Sequence, residues 1–146
     1  MADTASYFVC SWGNTMNEIR HGRCLCGNVQ FKITGDAGGV TFCHCSMCRR
    51  QTGHHYATIN VKREQIEIGG EDSVTWYQSS ESSYRGFCGR CGSALFWKSD
   101  RWPGIAVQAG SLEAPTGLKG KFHIFVADKG DYYEIDDDLP QFAQSV

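Results

Sequence analysis

The chain contains no apolar run approaching the roughly 20 residues that a membrane-spanning helix needs, which sets aside a helical membrane protein. It lacks an excess of charge of either sign. Its 14 Lys and Arg residues stand against 16 Asp and Glu, a formal charge of -2 that offers nucleic acid no global basic field. The local basic pairs, Lys62 with Arg63 and Lys119 with Lys121, read as solvated surface. No segment sustains an amphipathic helix of three turns, and there is no repeat, low-complexity tract or linker. The amino-terminal stretch MADTASYFVCSWGNTMNEIRHGRC has no basic start followed by an apolar run of signal-peptide length, and it interleaves Asp3, Asn14, Glu18 and Arg20 with its hydrophobic residues. A cytoplasmic location, where thiols stay reduced, is the expectation.

What is present suffices for one domain: 146 residues, 41% of them hydrophobic and 12% aromatic. Short segments alternate with a period of two, as in Val29, Phe31 and Ile33, in Ala57, Ile59 and Val61, in Ile66 and Ile68, and in Val74 and Trp76. Phe87 leads into Cys88, Ala94 to Trp97 follows, Ile105 to Ala109 is apolar, and His123 to Val126 reads as a compact buried run. The fold class expected is mainly β, built of short antiparallel strands, with 17 glycines serving the turns. Helix is expected only around Arg49 to Thr52 and from Leu139 onward, both too short to stand without tertiary support.

Seven of the eight cysteines fall into three groups: Cys24 and Cys26, then Cys43, Cys45 and Cys48, then Cys88 and Cys91. Disulfides are the alternative to metal, but a Cys-x-Cys ring would be strained and the compartment is expected to be reducing. In FCGRCGSALFW, Gly89 and Gly92 supply the backbone freedom of a zinc knuckle. Two thiolates fill half a tetrahedral shell, and Cys24 and Cys26 are the natural complement to Cys88 and Cys91. The four together would make a closed, structural zinc site; buried, unmetallated thiols are the bland reading.

The middle group, TFCHCSMCRRQTG, offers three thiolates and leaves a fourth position unassigned. A zinc with three protein ligands and one open position is the arrangement of catalytic sites. An external thiol entering that position would be held deprotonated near neutral pH, where a free thiol is mostly protonated. Alternatively His44, His54, His55 or the stray Cys10 closes the shell as a second structural site; His44, between two ligands, would tend to point away. Iron shares this ligand chemistry, although the spacings differ from ferredoxin runs.

From His21 to about Phe142 the chain resembles the glutathione-dependent formaldehyde-activating enzymes and the related centromere-protein-V domain. The matching motifs occur in order: GRCLCGNVQF, CHCSMCRRQTG, FCGRCGSALF, HIFVADK and the acidic DDDLPQF. The resemblance implies an Mss4-like, zinc-stabilised β fold with two zinc ions per chain, one on Cys24, Cys26, Cys88 and Cys91, the other on Cys43, Cys45 and Cys48 and open to the glutathione sulfur. The implied chemistry is attack of the glutathione thiolate on formaldehyde to give S-hydroxymethylglutathione, the reverse step making the enzyme a carbon-sulfur lyase. Arg49 and Arg50 follow Cys48 directly, where guanidinium groups could grip a glutathione carboxylate, and His54, His55 or His123 could shuttle the proton. Tyr132 and Tyr133 stand where the family tends to carry a tryptophan. Residues 1–19 are expected to be a disordered extension, with Met16 as an alternative start, and 20–146 a single domain. The competing function class is a zinc-stabilised binding module with no chemistry of its own.

Overall fold

The computed structural model describes residues 18–146. Cys10, Met16 and most of the expected extension, residues 1–17, lie outside the described residues. The chain forms ten strands: β1 Ile19–Arg23, β2 Gln30–Thr34, β3 Val40–Cys43, β4 Tyr56–Lys62, β5 Ile66–Gly69, β6 Val74–Gln78, β7 Ser83–Cys88, β8 Ala94–Ser99, β9 Trp102–Gln108 and β10 Gly120–Ile124. A single α-helix, α1 (Ser46–Thr52), interrupts them among the described residues. β1, β2 and β5 make a three-stranded sheet, and the others a seven-stranded sheet in the order β10-β3-β4-β9-β8-β7-β6. Pairing is antiparallel as expected except between β10 and β3, which run parallel.

The two-residue alternation read from the sequence sorts the large sheet into two faces. Ile59 and Val61 of β4 and Ile105 and Val107 of β9 enter one hydrophobic cluster with Phe31 and Ile33 of β2 and Phe96 of β8. Phe31 meets Phe96 edge to face, with ring centroids 5.4 Å apart. Burying side chains of this size stabilises by about 1.5–3 kcal/mol each, so this seam is what holds the two sheets together. The intervening residues of β4, namely Tyr56, Thr58 and Asn60, point to the other face. There Asn60 of β4, Ala106 of β9, Trp97 of β8 and Arg85 of β7 are successive cross-strand partners in one row. That row floors a cavity.

Three local expectations are revised. The helix expected from Leu139 is not formed; the segment is irregular and lies beside β10, with a parallel bridge between His123 and Gln141. The His123 amide donates to the Pro140 carbonyl at 2.9 Å, and the Phe142 amide donates to the His123 carbonyl at 2.9 Å. Ladder bonds to β10 outweigh a helix of too few turns. Of the run His123 to Val126 only His123 is buried, because Phe125 adopts the left-handed region (φ 54°) and ends the strand's register. Gly89 contributes space rather than a positive φ: a Cβ there would lie 2.8 Å from the Thr75 hydroxyl oxygen.

Candidate functional site

Cys24 and Cys26 sit in the turn between β1 and β2, Cys88 ends β7, and Cys91 lies in the turn before β8. In each pair the second cysteine is followed by a glycine in the left-handed region, Gly27 at φ 79° and Gly92 at φ 80°, which folds the turn back over its own carbonyl. The Gly27 amide donates to the Cys24 carbonyl at 3.1 Å and the Gly92 amide to the Cys88 carbonyl at 2.8 Å. The four Sγ atoms consequently lie within 4.8 Å of one another. Cys24 and Cys26 are separated by 3.5 Å and Cys26 and Cys88 by 3.8 Å, against the ~3.8 Å edge of a tetrahedron with metal–sulfur bonds of about 2.3 Å. The donor set fits a tetrahedral thiophilic ion. Hydrogen bonds from Ser93 bring the Cys91 thiol down to about 5, while its neighbours in the cluster hold Cys26 up at about 11.

The second group is assembled by a strand end and a helix start. Cys43 closes β3, Cys45 is the N-cap of α1, and Cys48 occupies its first turn. The Cys45 sulfur accepts from the Cys48 amide at 3.3 Å, the capping bond that brings residues three apart face to face. Gly53, at φ 79°, ends the helix, its amide donating to the Arg49 carbonyl at 2.7 Å. The Sγ atoms of Cys43, Cys45 and Cys48 all lie within 4.8 Å of one another. Hydrogen bonds from Cys43 and Cys48 hold the Cys45 thiol down at about 2, and those with Cys45 and Cys48 push the Cys43 thiol far up. A single negative charge is therefore easily accommodated, and ionising all three thiols calls for a cation. Arg85, buried beneath them, directs Nη1 and Nη2 at the Cys48 sulfur, each at 3.6 Å, and donates from Nη1 to Gln51 at 2.9 Å.

All three cysteines line a cavity of about 410 Å³. Tyr56, Thr58, Asn60 and Ser83 give it polar surface, and Trp97, Trp102 and Phe125 give it aromatic walls. The Tyr56 hydroxyl and Arg85 Nε are buried in these walls without a hydrogen-bond partner among the described residues. Burial raises the Tyr56 phenol above its ordinary value, so it stays a donor.

The other candidates from the sequence are placed elsewhere. Among the described residues no histidine joins the three sulfurs. The buried His44 ring binds Tyr133 and His123, while His55 packs against Phe42, His44 and His54. Burial and the neighbouring histidines lower both His44 and His55 to about 4. Arg49 is half-buried outside the cavity, and Arg50 faces an adjoining recess that shares Met47 and Arg85 with it. The sequence reading missed Arg85. Its one signal is register: in SYRGFC it shares a strand face with Ser83, and nothing local reveals that this face is covered.

A small two-sheet β protein carrying two cysteine clusters, each able to hold a metal ion, is the class that this fold and site define. Residues 19–128 match the family described as glutathione-dependent formaldehyde-activating enzyme, and the chain belongs to that family. A Halomonas elongata protein named as a candidate glutathione-dependent formaldehyde-activating enzyme is 28% identical over 129 residues, covering 81% of this chain and 82% of that protein. An uncharacterized lyase of Schizosaccharomyces pombe is 26% identical over 76 residues, 52% of this chain and 55% of its own. The fold is shared with a crystal structure of a Rhodobacter sphaeroides protein, at a TM-score of 0.56 and 23% identity over 64% of this chain and 88% of that one. Among the described residues no helix is long and apolar enough to cross a membrane.

Proposed function

We propose that residues 20–146 form one catalytic domain that makes and breaks a carbon–sulfur bond between glutathione and formaldehyde in a reducing, cytoplasmic setting. Cys43, Cys45 and Cys48 would hold a zinc ion at the head of the cavity, and Cys24, Cys26, Cys88 and Cys91 a second, structural one. The observation that carries the reading is the convergence of three sulfurs, and no fourth donor among the described residues, on a walled cavity. A zinc ion there supplies the positive charge that keeps an incoming thiol ionised near neutral pH.

The chain's own residues account for the rest. Arg85 fixes Cys48 and adds positive charge at the base of the cavity. Trp97, Trp102 and Phe125 wall the cavity with apolar surface, which confines the reactants near the sulfurs. In the forward direction the glutathione sulfur attacks the aldehyde carbon, a C–S bond forms, and the carbonyl π pair moves to oxygen, which takes up a proton equivalent to the one lost by the thiol. The Tyr56 hydroxyl and Arg85 Nε are free donors for that oxygen. Arg50, in the adjoining recess, is positioned for a glutathione carboxylate further out.

Metal analysis combined with glutathione titration tests this. The expected result is two zinc ions per chain, one of which responds spectroscopically, after cobalt substitution, to added glutathione. One ion per chain, or two indifferent to the thiol, would leave a zinc-stabilised binding module as the function.

A further inference from the structure

Behind the three-cysteine group runs a string of four side chains, His44 from beside the cysteines and three from residues 123–137. Tyr133 Oη lies 2.6 Å from His44 Nδ1, His44 Nε2 lies 2.8 Å from His123 Nδ1, and His123 Nε2 lies 3.0 and 3.1 Å from the two carboxylate oxygens of Asp137. His44 is 0% exposed and His123 4%, whereas Asp137 is at the surface. With both imidazoles neutral, one assignment satisfies every bond. A carboxylate only accepts, so His123 Nε2 carries its ring's hydrogen and Nδ1 is bare. His44 must then donate from Nε2, which leaves its own Nδ1 bare to accept from the Tyr133 hydroxyl.

The consequence falls on the residues either side of His44. Its backbone amide donates to the Ile124 carbonyl at 2.9 Å, so main chain and ring are pinned together. In extended backbone successive side chains point to opposite faces, and Cys45 is extended at φ -62° and ψ 159°. A ring fastened at both nitrogens on the rear face therefore aims Cys43 and Cys45 to the front, toward the cavity they line.

The geometry points to Tyr133, His123 and Asp137 as positioning residues for the three-cysteine metal site, acting through His44 without touching the metal or the substrate. This rests on the proposal that Cys43, Cys45 and Cys48 hold an ion, and it extends that proposal to residues up to 89 positions away in sequence. Outer supports of metal sites are typically worth 10–100-fold in affinity.

The test is zinc release from the intact, loaded protein to a chromophoric chelator. Two phases are expected in the wild type, a fast one from the three-cysteine site and a slow one from the four-cysteine site. Asp137→Ala and Tyr133→Phe should each accelerate the fast phase about tenfold and leave the slow phase unchanged. Asp137→Asn, whose amide oxygen still accepts from His123 Nε2, should restore near-wild-type release. Unchanged release in both disruptive variants overturns the inference, as does equal acceleration of both phases, which would mark a general loosening of the fold. A wild-type protein that releases one zinc in one phase overturns the underlying metal-site reading instead, and the positioning role with it.

Discussion

His55 illustrates what burial does to a single residue. It is half-buried between Phe42, His44 and His54, and burial, followed by the proximity of the His54 and His123 rings, lowers it from 6.5 to about 4. The unfolded chain releases this ring to water and takes up its proton near 6.5, before the folded chain does. Its contribution to stability is therefore intact above pH 6.5 and is lost progressively as pH falls toward 4. Urea midpoints measured across that interval should decline for the wild type and decline less for His55→Phe. Identical slopes in the two proteins would show that His55 is not held neutral by its surroundings.

At the scale of elements, α1 shows how much depends on where a short helix begins and ends. Seven residues cannot sustain a helix alone, so its termini matter: the Cys45 cap at one end and Gly53 in the left-handed region at the other. A Cβ at Gly53 would meet nothing within 4 Å, so Gly53→Ala isolates the backbone cost. That cost should be about 1–2 kcal/mol, measured as a shift in urea midpoint without a change in slope. No shift would mean that the turn re-forms without a left-handed residue.

The same scale explains which elements could be read in advance. Half-buried strands such as β2 and β4 advertise themselves by alternation, and α1 by its position after a ligand turn. The carboxy-terminal segment could not be read this way, because its partner is the backbone of β10, and backbone pairing leaves no side-chain signature.

Across the whole molecule the two cysteine groups differ in what they join. Cys24 and Cys26 belong to the three-stranded sheet's first turn and Cys88 and Cys91 to the large sheet, so that cluster bridges both layers. Cys43, Cys45 and Cys48 join only β3 to the helix that directly follows it. Cys91→Ser should accordingly lower the thermal midpoint drastically or prevent folding, since structural zinc is worth on the order of 10 kcal/mol in small domains. Cys45→Ser should leave a cooperative transition near the wild-type temperature while losing one metal ion. If both variants unfold alike, the two clusters do not divide structure and chemistry between them. The separate knuckles were legible from spacing, because each is local, whereas the approach of Cys24 and Cys26 to Cys88 and Cys91 spans 62 residues. The Tyr133–His44–His123–Asp137 string was not, since two of its three links span 79 and 89 residues and depend on β10 lying parallel to β3.

Trp97 and Trp102, 6.0 Å apart, both line the cavity, whereas Trp76 packs against Phe96 in the core cluster. Indole emission is sensitive to polarity and to nearby quenchers. The molecule thus carries its own optical probe, allowing occupancy of the cavity to be followed by intrinsic fluorescence, without a dye, a label or a coupled assay.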